Sequence, residues 1–161
     1  QGDVRPVTRF GREAGFRVQV VTGRGGKADA ERFPAADAVR SVRAPDIAEV
    51  VDASEYTYAV LMSHNFLDDR LALESLLSTE MPYIGLMGPK KRFTEMQEAF
   101  AEEGRELSPA ERERLSTPVG LDLGGDEPNQ IAISVVGEVL AAANDASGGR
   151  LSEREGTIHG R

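Results

Sequence analysis

Residues 82–93, PYIGLMGPKKRF, change character halfway: an apolar run ends in Gly88-Pro89, and Lys90, Lys91 and Arg92 follow at once. A short apolar run of this kind reads as a strand buried in a sheet, and the Gly-Pro pair reads as its exit into a helix. The free amides at such a helix start favour an anion, and the three basic side chains add positive charge beside them. The stretch is therefore either a phosphate or pyrophosphate subsite or a strand-to-helix turn with solvated basic residues.

Outward from this stretch, strands and helices alternate. Upstream, Tyr58-Ala59-Val60-Leu61-Met62 is a second apolar run, read as a strand buried on both faces. Ser63-His64-Asn65 and a helix over 68–77 follow, with Leu67, Leu71, Leu76 and Leu77 at helical spacing. Further upstream, Val4 to Gly15 reads as a helix, 17–21 as a strand stopped by Gly23, Gly25 and Gly26, 38–42 as a short strand, and 47–51 as one or two helical turns. Downstream, 90–100 reads as a helix with Phe93, Met96 and Phe100 on one side. Ser108-Pro109 starts a charged helix through Leu115, because serine caps free amides and proline suits the first turn. The last element is a helix over 128–143, with Ile131, Val135, Val139 and Ala142 on one stripe. Nearly continuous apolar strands alternating with helices predict an α/β domain with a mainly parallel sheet, whose ligands bind beyond the strand carboxyl ends. Residues 144–161 carry no continuous apolar stripe and are expected to be a flexible or subunit-covering tail.

Composition narrows the function classes. The 161 residues suit one domain, and 27 acidic against 19 basic side chains give a net charge of -8. That sign argues against nonspecific nucleic-acid binding, which draws on a broad basic surface. There is no cysteine, hence no disulfide framework and no thiolate chemistry. The apolar runs fall far short of the roughly 20 residues that cross a bilayer, and no secretory signal pattern stands at the start, so the cytoplasm is the expected location.

The candidate chemical groups stand at the ends of the strand candidates. His64 could transfer a proton or hydrogen-bond a heterocycle, or it could simply anchor its loop. Asp68 and Asp69 suit a helix start better than catalysis. His64 with these two aspartates lacks any fixed metal-ligand spacing, so no protein-metal site is assigned; His159 lies far away in a polar stretch. Asp122, within Gly120-Leu121-Asp122-Leu123-Gly124-Gly125, could accept a hydrogen bond from a heterocycle's amino group or satisfy its own loop. After the 17–21 strand, where dinucleotide-binding folds often carry an acidic residue for the ribose, Thr22 stands instead. Arg24 and Lys27 nearby leave NADP as a weaker ligand alternative, with Asp29 farther along.

Taken together and in order, Asp3-Val4-Arg5-Pro6, Ala14 to Val18, Glu31-Arg32-Phe33-Pro34, Met62-Ser63-His64-Asn65, Tyr83 to Gly88 with Lys91-Arg92, Pro118 to Gly125, and Pro128 to Ser134 cover most of the chain. This set resembles the carboxyl-terminal Rossmann-like domain of the xanthine dehydrogenase accessory protein family, XdhC/CoxI. The resemblance implies a Rossmann-like three-layer α/β domain over 1–143, and a noncatalytic chaperone role in maturing molybdenum hydroxylases. It implies binding of the molybdenum cofactor, as molybdopterin or its nucleotide form, with His64, Gly85, Gly88, Lys90, Lys91, Arg92, Gly120, Asp122 and Gly124 as candidate cofactor-binding residues. It also implies a molybdenum hydroxylase apo-enzyme as partner, a cysteine desulfurase as a further one, and a homodimer. Against the family pattern, the usual first strand and most of its glycine-rich turn are missing, which predicts an amino-terminally truncated domain. The alternatives are an NAD(P)-binding oxidoreductase and a structural partner domain with no small-molecule ligand.

Overall fold

A computed structural model describes residues 3–23 and 30–156. In chain order the elements are α1 (Val4–Glu13), β1 (Gln19–Thr22), β2 (Ala38–Ser41), α2 (Ile47–Val50), β3 (Tyr58–Leu61), α3 (Phe66–Leu77), β4 (Tyr83–Leu86), α4 (Lys90–Glu102), α5 (Pro109–Glu113), β5 (Leu115–Ser116) and α6 (Pro128–Ala143). Every strand pairing is parallel, as the apolar strands with intervening helices require. The fold is α/β and Rossmann-like, with every predicted strand and helix present in the predicted order and one strand, β5, that the sequence does not predict.

The sheet is divided. β1 pairs with β2, and β3, β4 and β5 form a separate three-stranded ladder in that order. Only β4 is buried along its whole length. β3, expected to be buried on both faces, is half-buried over Tyr58, Ala59 and Val60, because β4 is its one strand neighbour among the described residues.

The main core belongs to the three-stranded half. Leu61, Leu73, Leu76, Leu77, Met81, Ile84, Leu86, Met96, Phe100 and Leu107 form one buried cluster, with Phe93 packed against it. Helix α4 thus buries the side the sequence predicts. The buried stripe of α3 is Asp69, Ala72, Leu73, Leu76 and Leu77, whereas Leu67 is exposed.

Helix α5 is shorter than its sequence suggests. Ser108 caps it by accepting from the Glu111 amide at 3.1 Å, while the Glu111 carboxylate accepts from the Ser108 amide at 3.0 Å, a reciprocal box that fixes the start. It stops at Glu113 because the Arg114 guanidinium donates to the carbonyls of Met81, Leu77 and Thr79 at 2.8, 3.0 and 2.9 Å. These bonds pull the chain alongside β4, where the Ile84 amide donates to the Arg114 carbonyl at 2.8 Å and Leu115–Ser116 becomes β5. No residue of 144–156 is buried, and Leu151 is exposed.

Candidate functional site at the strand carboxyl ends

The carboxyl ends of β3, β4 and β5 are held side by side. The Met87 amide donates to the Leu61 carbonyl and the Val119 amide to the Leu86 carbonyl, both at 3.0 Å, so the three exit loops open on one rim.

Asp69 organises the first two loops. It is 1% exposed and accepts the Ser63 hydroxyl at 2.6 Å and the Ser63 amide at 3.3 Å. Its other carboxylate oxygen accepts from Arg92 Nη2 at 3.1 Å. Asn65 caps α3 by accepting from the Asp68 amide at 2.9 Å. Between these anchors His64 adopts the left-handed conformation, φ 63°, uncommon for a residue with a side chain. Its Nε2 lies 3.3 Å from the Asp3 carboxylate, just before α1.

The β4 exit is shaped around the same arginine. Gly88 has φ 119°, and a Cβ there would sit 2.6 Å from Arg92 Cδ, so the position needs glycine on both counts. The guanidinium lies over the Phe66 ring, 5.7 Å from its centroid, and Arg92 Nε is buried with no hydrogen-bond partner among the described residues. Helix α4 starts at Lys90 without a side-chain cap. Lys90 and Lys91 are exposed on the rim, Lys91 lying 3.8 Å from Glu95.

The third loop runs from β5 to α6. Gly120 has φ 113°, and a Cβ there would meet Ser134 Oγ at 2.5 Å. Val119, Leu121, Asp122, Leu123, Gly124, Gly125, Ile131 and Ser134 line an open depression of about 350 Å³, with Asp122 exposed at its edge. Beneath it Glu138 Oε1 accepts from the Tyr83 hydroxyl at 2.6 Å, from the Gly120 amide at 3.1 Å, and from the Ser116 hydroxyl. Burial, then the bond to the Glu138 carboxylate, pushes the Tyr83 phenol far above its ordinary pKa. Gly85 lies under this loop, since a Cβ there would be 2.5 Å from Val119 Cγ2 and 3.0 Å from the Tyr83 hydroxyl.

The structure therefore gathers His64, Gly88 and Arg92 around Asp69, and places Gly120, Asp122 and Gly124 in a neighbouring loop. Lys90 and Lys91 stand on the rim, and Gly85 is packed beneath. Asp69, Ser63 and Glu138 were not among the sequence candidates. Arg24, Lys27, Asp29 and His159 lie outside the described residues.

Residues 1–139 match the family described as the XdhC Rossmann domain. The chain belongs to this family. A Bacillus subtilis protein, named as a probable xanthine dehydrogenase subunit, is 26% identical to this XdhC domain over 135 residues, covering 84% of the chain and 38% of the relative. The uncharacterized Escherichia coli protein YqeB is 31% identical over 105 residues, covering 64% of the chain and 18% of the relative. A crystal structure of a xanthine dehydrogenase from Bacillus halodurans superposes with a TM-score of 0.73 at 28% identity, covering 89% of the chain and 42% of the other. The XdhC domain thus spans less than half the length of each relative.

Proposed function

We propose that this XdhC domain is the cofactor-handling part of an accessory protein for xanthine dehydrogenase-type molybdenum hydroxylases. It would hold the molybdenum cofactor, as molybdopterin or its nucleotide form, for transfer to the apo-enzyme. The observation that carries this reading is the family match over residues 1–139. The role is binding and delivery rather than catalysis. A homodimer, and a cysteine desulfurase as a further partner, belong to the same proposal.

The rim chemistry suits a phosphate-bearing heterocycle. Arg92 has already matched one face to Asp69, so its charge is largely balanced, while its buried Nε is still a donor without a partner among the described residues. The uncapped start of α4 and the exposed Lys90 and Lys91, the latter paired with Glu95, add donors and positive charge at the same turn. Asp122 and the open Gly124 backbone would take the amino edge of a pterin or purine. His64, held at positive φ beside Asp3, offers a group that can donate or accept according to protonation. The bound cofactor would supply the molybdenum centre; the protein would supply orientation, charge balance and cover from water.

The test is to express the complete gene product in a host that makes molybdenum cofactor, then to measure pterin by oxidation to its fluorescent product alongside molybdenum content. The expected result is near-stoichiometric pterin. Lys90→Ala combined with Lys91→Ala should weaken retention about tenfold, equivalent to roughly 1.4 kcal/mol. Background pterin under cofactor-replete conditions would overturn the reading, and saturable NADPH binding in its place would favour the oxidoreductase alternative.

A further inference from the structure

We infer that Gln130, Ser134 and Glu138 on α6 are positioning residues that hold the loop between β5 and α6 in its ligand-binding shape. This rests on the cofactor-handling reading proposed above, in which the loop forms one wall of the cofactor site. The three side chains act through the loop backbone and need not touch the ligand.

Residues four apart lie one above the other on a helix, so positions 130, 134 and 138 form a single polar stripe on α6. Ala132 and Val135 are buried on a different side of the helix, and the stripe meets the loop once per turn. Gln130 Oε1 accepts from the Asp126 and Glu127 amides, each at 3.2 Å. Ser134 bonds in both directions: its hydroxyl donates to the Leu121 carbonyl at 2.5 Å, and its carbonyl accepts from the Leu121 amide at 3.3 Å. Glu138 accepts from the Gly120 amide at 3.1 Å with the same oxygen that takes the hydroxyls of Tyr83 on β4 and Ser116 on β5. The loop is thereby held in register with the sheet as well as with the helix.

Backbone donors must be accounted for one by one, and in this loop they divide into two sets. Val119 donates to Leu86 at the end of β4, Gly120 and Leu121 donate to the stripe, Leu123 donates to the Leu121 carbonyl at 2.9 Å, and Asp126 and Glu127 donate to Gln130. The amides of Asp122, Gly124 and Gly125 are left without an acceptor among the described residues. All three residues line the depression of about 350 Å³. The stripe thus occupies the donors on the helix side and leaves those bordering the depression to a ligand. With the exposed Asp122 carboxylate beside them, these amides suit a heterocycle edge that carries both a carbonyl and an amino group.

Loop and helix meet with no slack. A Cβ on Gly125 would lie 2.6 Å from Gln130 Cβ, as one on Gly120 would lie 2.5 Å from Ser134 Oγ. A side chain at either glycine must therefore lift the loop off the stripe. Held at these points, the loop is ordered when the protein folds, and binding does not have to order it again. Released from the stripe, a glycine-rich segment has the most backbone freedom to lose. A ligand that had to order it would dissociate sooner.

Amide exchange and cofactor retention in the complete gene product test this together. In the ligand-free protein, Glu138→Ala should speed exchange at Gly120 and Leu121 by about tenfold, while the Val119 amide, bonded to β4, keeps its rate. In protein purified from a host that makes molybdenum cofactor, molybdopterin should leave Glu138→Ala, Ser134→Ala and Gly125→Ala on dialysis about tenfold faster per folded molecule. Glu138→Gln, whose side-chain oxygen still accepts, should recover most of the retention. Leu73→Ala weakens the core elsewhere and should leave the rate per folded molecule unchanged, whereas a merely structural role would make cofactor loss follow unfolding free energy in every variant. If Glu138→Ala does not fold, Ser134→Ala and Gly125→Ala decide. Natural retention in these variants, or natural exchange at Gly120 and Leu121 in Glu138→Ala, would overturn the positioning role alone. Background pterin on the natural sequence would overturn the cofactor-handling reading, and the positioning role with it.

Discussion

A carboxylate that is 1% exposed must find its partners inside the protein, and Asp69 finds them in Ser63 and Arg92. Removing one member of a buried pair leaves the other charge uncompensated, which costs more than the pair itself contributes. Asp69→Ala should therefore destabilise the domain by about 3 kcal/mol in urea unfolding. Asp69→Asn should cost less, because its amide oxygen can still accept from Ser63. Gly88→Ala forces a side chain into φ 119° and against Arg92 Cδ, so a loss of about 1–3 kcal/mol is expected from strain. The same unfolding experiment measures it. The sequence identified Arg92 and Gly88 as site residues but read Asp69 as a helix-start acid. Its burial is set by where α4 docks against the loop after β3, a long-range fact that no local pattern records.

At the scale of elements, Glu138 on α6 ties together β4, β5 and the Gly120 turn through one carboxylate oxygen. Tyr83→Phe removes one of these bonds and should cost about 1 kcal/mol near neutral pH. Its larger consequence is alkaline. The Tyr83 phenol is raised by burial, so below about pH 10 both folded and unfolded chains keep the proton and the contribution is complete. Above that pH the unfolded chain loses the proton first, and stability should fall by up to about 1.4 kcal/mol per pH unit. Urea unfolding from pH 9 to 11 should show this decline in the natural sequence and a shallower one in Tyr83→Phe. Most elements were legible because each carried its own signal: period-two or continuous apolar strands, the Ser108-Pro109 start, and the apolar α6. β5 was not legible, because two residues have no periodicity and their placement depends on Arg114 reaching the carbonyls of Leu77, Thr79 and Met81. Leu67 shares helical spacing with Leu71, Leu76 and Leu77 yet is exposed, because the helix is apolar on more than one side and spacing alone does not select the buried face.

For the molecule as a whole, the division of the sheet also divides the stability. The continuous cluster from Leu61 to Leu107 lies around β3, β4, α3 and α4, whereas the β1–β2 half contributes Val20 and Phe33 to the buried set. The parallel order was legible from the sequence; the division was not, since strand patterns report burial and say little about which edges meet. Local opening free energy follows buried apolar contact, so the two halves should not open together in residues 1–161. Leu73→Ala, at 1% exposure, should cost about 2–5 kcal/mol by leaving a cavity in the larger core. Val39→Ala, on a half-buried strand, should cost about 1 kcal/mol or less. Native-state hydrogen exchange across a urea series would separate the halves directly. The Leu73, Ile84 and Met96 amides should exchange only through global unfolding, while Val20 and Val39 should open at lower urea with a smaller denaturant dependence. If Val20 and Ile84 instead share one free energy and one slope, the halves form a single cooperative unit, and contacts such as the edge-to-face pair of Phe16 with Tyr58 must couple them as strongly as a continuous ladder would.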